Sequence, residues 1–125
     1  MKLLLDSHVI LWALDDPDEL DAAARAALED PANDVWYSTA SVWELSIKAA
    51  AGKLTLPEEF FAAVGATGFE ALAIDVEHAV RAGGLVPIHR DPFDRMLVAQ
   101  AQTEGLVLMT RDRIIPQYGV ATFAA

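Results

Sequence analysis

The side chains best suited to chemistry are acidic and lie in four separated segments of the chain. Asp6 and Asp112 each follow a short apolar run, whereas Glu44 and Asp94 each lie near the predicted start of a helix. Four carboxylates brought together at neutral pH repel one another, so such a cluster must raise its pKa values or hold a cation. Oxygen ligands without cysteine suit Mg²⁺ or Mn²⁺, which orient phosphodiesters and turn water into a nucleophile.

The elements that carry these acids are expected to form a parallel sheet. The run Leu3–Leu5 is too short for a helix and is typical of a strand buried on both faces, with Ser7 capping a helix that begins at His8. Strands and helices alternate in the predicted pattern, which indicates helices on both faces of the sheet. In such a sheet the helix N-termini lie at the carboxyl ends of the strands, where ligands bind.

The predicted fold class is α/β, with a central, mostly parallel sheet of four to five strands flanked by helices on both faces. The predicted strands are Leu3–Leu5, Val35–Tyr37, Phe69–Ile74, Leu106–Thr110 and a last edge strand, Val120–Phe123. Beyond the helix at His8, helices are predicted over Leu20–Asp30, Ser41–Ala51, Pro57–Val64, Asp75–Ala82 and Asp91–Thr103.

Helix capping is the competing explanation for two of the acids. Ser41 and Glu44 have the spacing of a capping box. Asp94 falls in the first turn of a helix that Asp91 can cap and Pro92 can open, where an acid gains about 0.3–1 kcal/mol from the helix dipole. Either acid alone is explained this way, but four acids expected at one sheet edge favour a metal site.

Composition restricts the class of protein. The chain has 125 residues, 54% of them hydrophobic, and no cysteine, which fits one domain without disulfides or thiolate metal sites. No apolar run reaches the roughly 18 residues of a membrane span, and no signal peptide is evident, so a soluble cytoplasmic protein without a membrane partner is expected. The net charge of −10 is unfavourable for a nucleic-acid partner, but residues 1–34 carry most of it and residues 86–125 are balanced.

Four basic residues are candidates for contacts with phosphate. Lys48 lies one helical turn after Glu44, and Arg95, Arg111 and Arg113 are each adjacent to another of the acids. Solvated surface charge explains each of them equally well, and Lys48 also suits an i,i+4 pair with Glu44. The three histidines lack metal-ligand spacing, so no zinc site is expected.

Several segments together resemble one family, the VapC-type PIN-domain ribonucleases, which are toxins of type II toxin–antitoxin systems. The matching segments span nearly the whole chain, and the third is the most specific. They are LLLDSHVILWAL (Leu3–Leu14), STASVWELSIKAAAGKL (Ser38–Leu54), HRDPFDRMLVAQA (His89–Ala101) and LMTRDRIIPQYG (Leu108–Gly119).

The resemblance implies one PIN-like nuclease domain over residues 1–125 and a catalytic quartet of Asp6, Glu44, Asp94 and Asp112 around Mg²⁺ (or Mn²⁺). Asp6 and Asp94 are implied as direct ligands, with Glu44 and Asp112 acting partly through water. It further implies cleavage of an RNA substrate by metal-activated water that leaves a 5′-phosphate, homodimerisation, and inhibition by a cognate antitoxin protein.

Other classes of function fit the residues less well. A Rossmann-type nucleotide binder needs a glycine-rich turn after the first strand, which is absent. An aspartyl-phosphate enzyme built on Asp6 lacks the companion acid two positions on, where His8 stands. The main alternative is a catalytically inactive PIN-like domain that dimerises and binds an antitoxin, with the acids as helix caps; the net charge favours it.

Overall fold

The central strand of the sheet is the apolar run near the N-terminus. In the computed structural model, which describes all residues Met1–Ala125, five parallel strands lie in the order β3-β2-β1-β4-β5. Their bounds are β1 Lys2–Leu5, β2 Asp34–Ser38, β3 Glu70–Leu72, β4 Val107–Thr110 and β5 Thr122–Ala124. The predicted mostly parallel sheet of four to five strands is confirmed, with five strands that are all parallel.

Six helices connect the strands. They are α1 Ser7–Asp15, α2 Ala22–Glu29, α3 Thr39–Ala50, α4 Phe60–Ala66, α5 Val76–Gly84 and α6 Pro92–Glu104, with short 3₁₀ turns at Pro17–Glu19 and Ile115–Tyr118. The predicted bounds of the strands and helices lie within about three residues of these. None of the helices has both the length and the apolar character required to cross a membrane.

The sheet separates two hydrophobic cores because successive side chains of a strand point to opposite faces. Leu3 and Leu5 are fully buried in a core that includes residues of α1, α2, α3 and α4. Leu4 is fully buried on the other face, where Leu97 and Val98 of α6 pack. A strand with both faces covered needs a continuous apolar run, and this explains the triple leucine of β1.

Differences of one or two residues at two of the predicted helix starts bear on the acids. Asp6 itself, rather than Ser7, is the N-cap of α1. Ser38 caps α3, whose first residue is Thr39, so Ser41 and Glu44 do not form a capping box. The predicted caps failed because the residue that directly precedes each helix already supplies a carboxylate or hydroxyl acceptor for the first free N–H groups.

Gly105 ends α6 in a left-handed conformation, with φ of 68°. We expect Gly105→Ala to lower the free energy of unfolding by about 1–2 kcal/mol, since a side chain disfavours that conformation. Urea unfolding measures the change. Gly83→Ala in α5 is the control, because its φ is not positive and a Cβ there has open space, so it should stabilise by about 0.5–1 kcal/mol. Equal effects of the two substitutions would contradict the prediction.

Candidate active site

An acidic cavity of about 190 Å³ lies at the carboxyl edge of the central strands. Five carboxylates line it together with a single hydrophobic residue, Trp12. The carboxylates belong to Asp6, Glu44, Asp91, Asp94 and Asp112. The structure therefore brings the four acids of the predicted quartet into one cavity, and Asp91 joins them.

Asp6 reaches the cavity from the end of β1. One carboxylate oxygen accepts a hydrogen bond from the Val9 N–H (3.1 Å), and the other accepts one from the Thr110 hydroxyl (2.5 Å). Burial raises the pKa of Asp6, and these hydrogen bonds only partly oppose the shift. The side chain is thus held in one orientation by a helix start and by the end of the neighbouring strand β4.

Glu44 lies in the second turn of α3 and is buried. Its two carboxylate oxygens accept hydrogen bonds from the Ser7 hydroxyl (2.5 Å) and the Lys48 ammonium (2.7 Å). The bond to Glu44 raises the pKa of Lys48. Ser7, predicted as a helix cap, instead holds this carboxylate in place.

Asp94 lies in the first turn of α6, after the N-cap Asp91, which accepts a hydrogen bond from the Phe93 N–H (2.8 Å). The pKa of Asp94 is raised to about 7. Burial is the largest cause, followed by the charge of Asp91; His89 opposes the shift, and Glu44 and Asp112 add smaller contributions that raise the pKa. The fold therefore buries Asp94 and brings other carboxylates close to it.

Asp112 follows β4, and one of its oxygens accepts hydrogen bonds from the backbone N–H groups of Ile114 (2.7 Å) and Ile115 (3.2 Å). Burial raises the pKa of Asp112, but the hydrogen bonds from His89 and from these two N–H groups lower it by more. The net pKa lies below the ordinary value, so Asp112 is ionised at neutral pH.

His89 is the functional candidate that the sequence analysis missed. Its Nε2 lies 3.1 Å from Asp94 Oδ2 and 3.0 Å from Asp112 Oδ2, while its Nδ1 accepts a hydrogen bond from the Asp91 N–H (3.1 Å). Burial lowers the pKa of His89, but the bond to Asp112 and the nearby carboxylates raise it by more. The residue lies in the loop before α6, which local spacing does not orient, so its only signals were its place at the start of the third matching segment and its position two residues before Asp91.

The donor set fits a hard divalent cation. Ligand atoms of His89, Asp94 and Asp112 lie within 4.8 Å of one another, and Asp6 and Glu44 line the same cavity. Carboxylate oxygens in this number are the ligands that Mg²⁺ and Mn²⁺ prefer, and a cation would favour the ionised form of Asp94, whose pKa is raised by burial and by the neighbouring carboxylates.

Only two of the four predicted phosphate contacts line the cavity, namely Lys48 and Arg111. Arg111 lies 4.2 Å from the Trp12 ring centroid and donates to the Glu19 side chain (2.9 Å), which fixes it at the rim. Arg95 turns away and donates to the carbonyl oxygens of Ala82 and Leu85 (3.0 Å each).

Arg113 is exposed and does not line the cavity. The proposal that Arg95 and Arg113 contact the substrate therefore has no support from their placement, and for Arg95 the structure gives a different role, closing the end of α5.

A second titratable cluster, Asp75, His78 and Glu104, lies between α5 and α6, away from the cavity. The Nδ1 of His78 accepts the Asp75 N–H (3.1 Å), and its Nε2 lies 2.8 Å from a Glu104 carboxylate oxygen. Both ring nitrogens are thus already used, Nδ1 in capping α5 and Nε2 in joining α5 to α6. The cluster explains the burial of His78 without a bound metal.

The fold and the site together define a parallel α/β domain with clustered carboxylates at its ligand-binding edge. The family model of the PIN domain matches residues 3–121. The chain belongs to the PIN-domain family, and this confirms the PIN domain that the sequence motifs indicated. No curated protein sequence gives a significant match.

Solved structures share the fold over nearly the whole chain. A chain of DNA-bound VapBC from Salmonella typhimurium is similar with a TM-score of 0.75 and 21% identity, covering 99% of this chain and 98% of that chain. A chain of VapBC2 from Rickettsia felis, bound to a promoter DNA fragment, has a TM-score of 0.72 and 15% identity, with the same coverage. A chain of VapBC-1 from nontypeable Haemophilus influenzae has a TM-score of 0.69 and 20% identity, again with the same coverage.

Proposed function

We propose that the chain, residues 1–125, is a metal-dependent endoribonuclease domain that acts as the VapC-type toxin of a toxin–antitoxin pair. One observation carries this proposal. Asp6, Glu44, Asp94 and Asp112 come from four separate segments, and all line one cavity at the carboxyl edge of the sheet. Membership of the PIN-domain family supports it.

In this proposal Asp6 and Asp94 hold the ion directly, and Glu44 and Asp112 complete the site partly through water. A bound Mg²⁺ or Mn²⁺ supplies Lewis-acid activation of water and of the phosphodiester. The hydroxyls of Ser7 and Thr110 fix the oxygens of Glu44 and Asp6, so these carboxylates are oriented before any substrate arrives.

The proposed partners are an RNA substrate, a cognate antitoxin protein and a second copy of the chain. The similar structures are described as VapBC complexes, and this supports an antitoxin partner. Lys48 and Arg111 are the proposed phosphate contacts, because both line the cavity and carry positive charge there.

The direct test is cleavage of a single-stranded RNA by the purified protein in Mg²⁺, in Mn²⁺ and in EDTA. We expect cleavage with either metal, products that carry 5′-phosphates, and no cleavage in EDTA. No cleavage with any divalent metal, by a protein that is folded and dimeric, would contradict the proposal and favour the inactive binding module.

Metal binding should depend on pH. The pKa of Asp94 is raised to about 7 in the metal-free protein, so at about pH 6 the ion must displace a proton, whereas at about pH 8 the carboxylate is already ionised. We expect Mg²⁺ at one fixed concentration to raise Tm more at pH 8 than at pH 6.

Without metal, the contribution of Asp94 to the free energy of unfolding changes with pH in the opposite direction to the Mg²⁺ effect. Its pKa is higher in the folded state than the ordinary value of 3.8, so stability from this group is greatest at acid pH and falls as pH rises toward 7. Asp94→Asn should remove both effects. Thermal melts of the parent and this variant at both pH values provide the measurement, and an equal Mg²⁺ effect on the parent at the two pH values would contradict the prediction.

A further inference from the structure

A second cavity, of about 260 Å³, adjoins the acidic cavity. The two cavities share three lining residues, Ser7, His8 and Lys48. A polymer held at the acidic cavity therefore has the second cavity as its immediate neighbour. The second cavity lies beside the metal site described above, and none of the quartet lines it.

The lining of the second cavity is apolar at its floor and basic at its rim. Leu11 of α1, Leu45 of α3 and Leu54, which follows α3, provide the apolar surface. No carboxylate lines this cavity. The chain has a net charge of −10. This cavity, which adjoins the acidic site, differs from both because its only charged lining residues are basic.

The basic rim follows from the way in which α3 ends. The N–H of Lys53 donates to the Lys48 carbonyl (2.9 Å), and the N–H of Gly52, at φ of 73°, donates to the Ala49 carbonyl (3.1 Å). This is a Schellman motif, in which the two positions taken by Lys48 and Lys53 are usually joined by a hydrophobic contact. Here two lysines occupy those positions, and both line the cavity.

The two lysines differ in their partners. Lys48 is paired with Glu44 at 2.7 Å, whereas Lys53 forms no salt bridge and is exposed. Two of the three lysines of the chain thus lie at one helix end, and one of them has no anion to balance it. An anionic occupant would complete the charge at this position.

We propose that this second cavity is a subsite for the nucleotide that flanks the scissile phosphate of a single-stranded RNA. The base would lie on the apolar floor of Leu11, Leu45 and Leu54, and its phosphate would lie at Lys53. The proposal rests on the proposed function. It adds that the second cavity binds the RNA nucleotide next to the cleaved phosphodiester. An apolar floor beside a cation suits a nucleotide, which has an apolar base face and an anionic phosphate.

The test compares Lys53→Gln with Lys2→Gln. Lys2 is exposed, forms no salt bridge, and lies at the amino end of β1, at the opposite edge of the sheet. The two substitutions change the net charge equally. We expect Lys53→Gln to raise KM for a short single-stranded RNA by about 3–10-fold with kcat retained in Mg²⁺, and Lys2→Gln to change neither, because each phosphate contact is worth a fraction of the whole salt-dependent affinity.

Fluorescence anisotropy of the same labelled RNA in EDTA gives an independent readout. The salt slope of log K should fall by about 0.7 in Lys53→Gln, the value for one phosphate contact to a single strand, and should not change in Lys2→Gln. Leu54→Ala should weaken binding without changing the slope, and circular dichroism verifies that each variant is folded.

Several outcomes separate this proposal from the proposed function. If the parent cleaves RNA and Lys53→Gln binds and cleaves it equally well, the subsite is overturned and the proposed nuclease function stands. A parent that binds RNA through Lys53 but does not cleave would support the subsite and contradict the nuclease. The subsite would be overturned if the parent did not bind RNA. It would also be overturned if Lys53→Gln bound RNA as the parent does but lost affinity for a synthetic peptide of alternating Leu and Glu.

Discussion

Replacing Asp94 by Asn should reduce metal-dependent RNA cleavage by more than about 100-fold, because the loss of groups that merely orient metal ligands already costs about 10–100-fold. The substitution keeps the size of the side chain and removes its charge. The start of α6 is fixed by Asp91 and Pro92, so the fold should be retained. Cleavage rates in Mg²⁺, with a thermal melt of each protein, measure the two effects.

The matched control for this variant is Asp75→Asn. Asp75 is the N-cap of α5 and lies away from the acidic cavity. Asn caps helices about as well as Asp, so the control loses one negative charge and keeps its local structure. We expect parent-like cleavage from it. Parent-like cleavage by Asp94→Asn as well would show that Asp94 does not hold the ion.

The second large effect is expected at Asp6, where two substitutions separate its roles. Asp6→Asn can still accept a hydrogen bond from the Val9 N–H, so helix α1 keeps its cap, but the charge is lost. Cleavage should fall by more than about 100-fold, as at Asp94, with little change in stability.

Asp6→Ala should lose the activity and also destabilise the protein. It removes the cap of α1, at a cost of about 0.5–2 kcal/mol, and leaves the buried Thr110 hydroxyl without its acceptor, at a further cost of about 1–3 kcal/mol. Urea unfolding of both variants gives the difference. Equal stabilities would contradict the capping role, and an active Asp6→Asn would contradict the metal-binding role.

The sheet could be predicted because its central strand is nearly all leucine. Leu3, Leu4 and Leu5 leave no polar face, and a strand of this kind must be covered on both sides. Helices on both faces and parallel pairing follow from this. The position of Asp6 at the ligand-binding edge then depends only on where the apolar run ends.

The prediction that Glu44 lies at this edge of the sheet was correct, but the reason given for it, a capping box, was wrong. A capping box would place it in the first turn of α3, but it lies in the second turn, because the helix begins earlier, at Thr39. Glu44 reaches the cavity because it shares the buried face of α3 with Ser41 and Leu45.

Arg95 shows why adjacency in sequence misleads on a helix. Consecutive residues of a helix are rotated by about 100°, so Arg95 points in a different direction from Asp94. Arg95 instead donates to carbonyl oxygens at the end of α5, a favourable position for a cation. The role of His89 could not be predicted either, because the conformation of the loop before α6 depends on tertiary contacts rather than on local pattern.

The claim on which the proposed function depends is that one divalent ion binds among the four carboxylates. The most direct measurement is anomalous diffraction at the manganese edge from crystals of the protein grown with Mn²⁺. We predict a peak in the acidic cavity within coordination distance, roughly 2.0–2.6 Å, of Asp6 and Asp94 oxygens. A peak only at Asp75, His78 and Glu104, or no peak at saturating Mn²⁺, would contradict it.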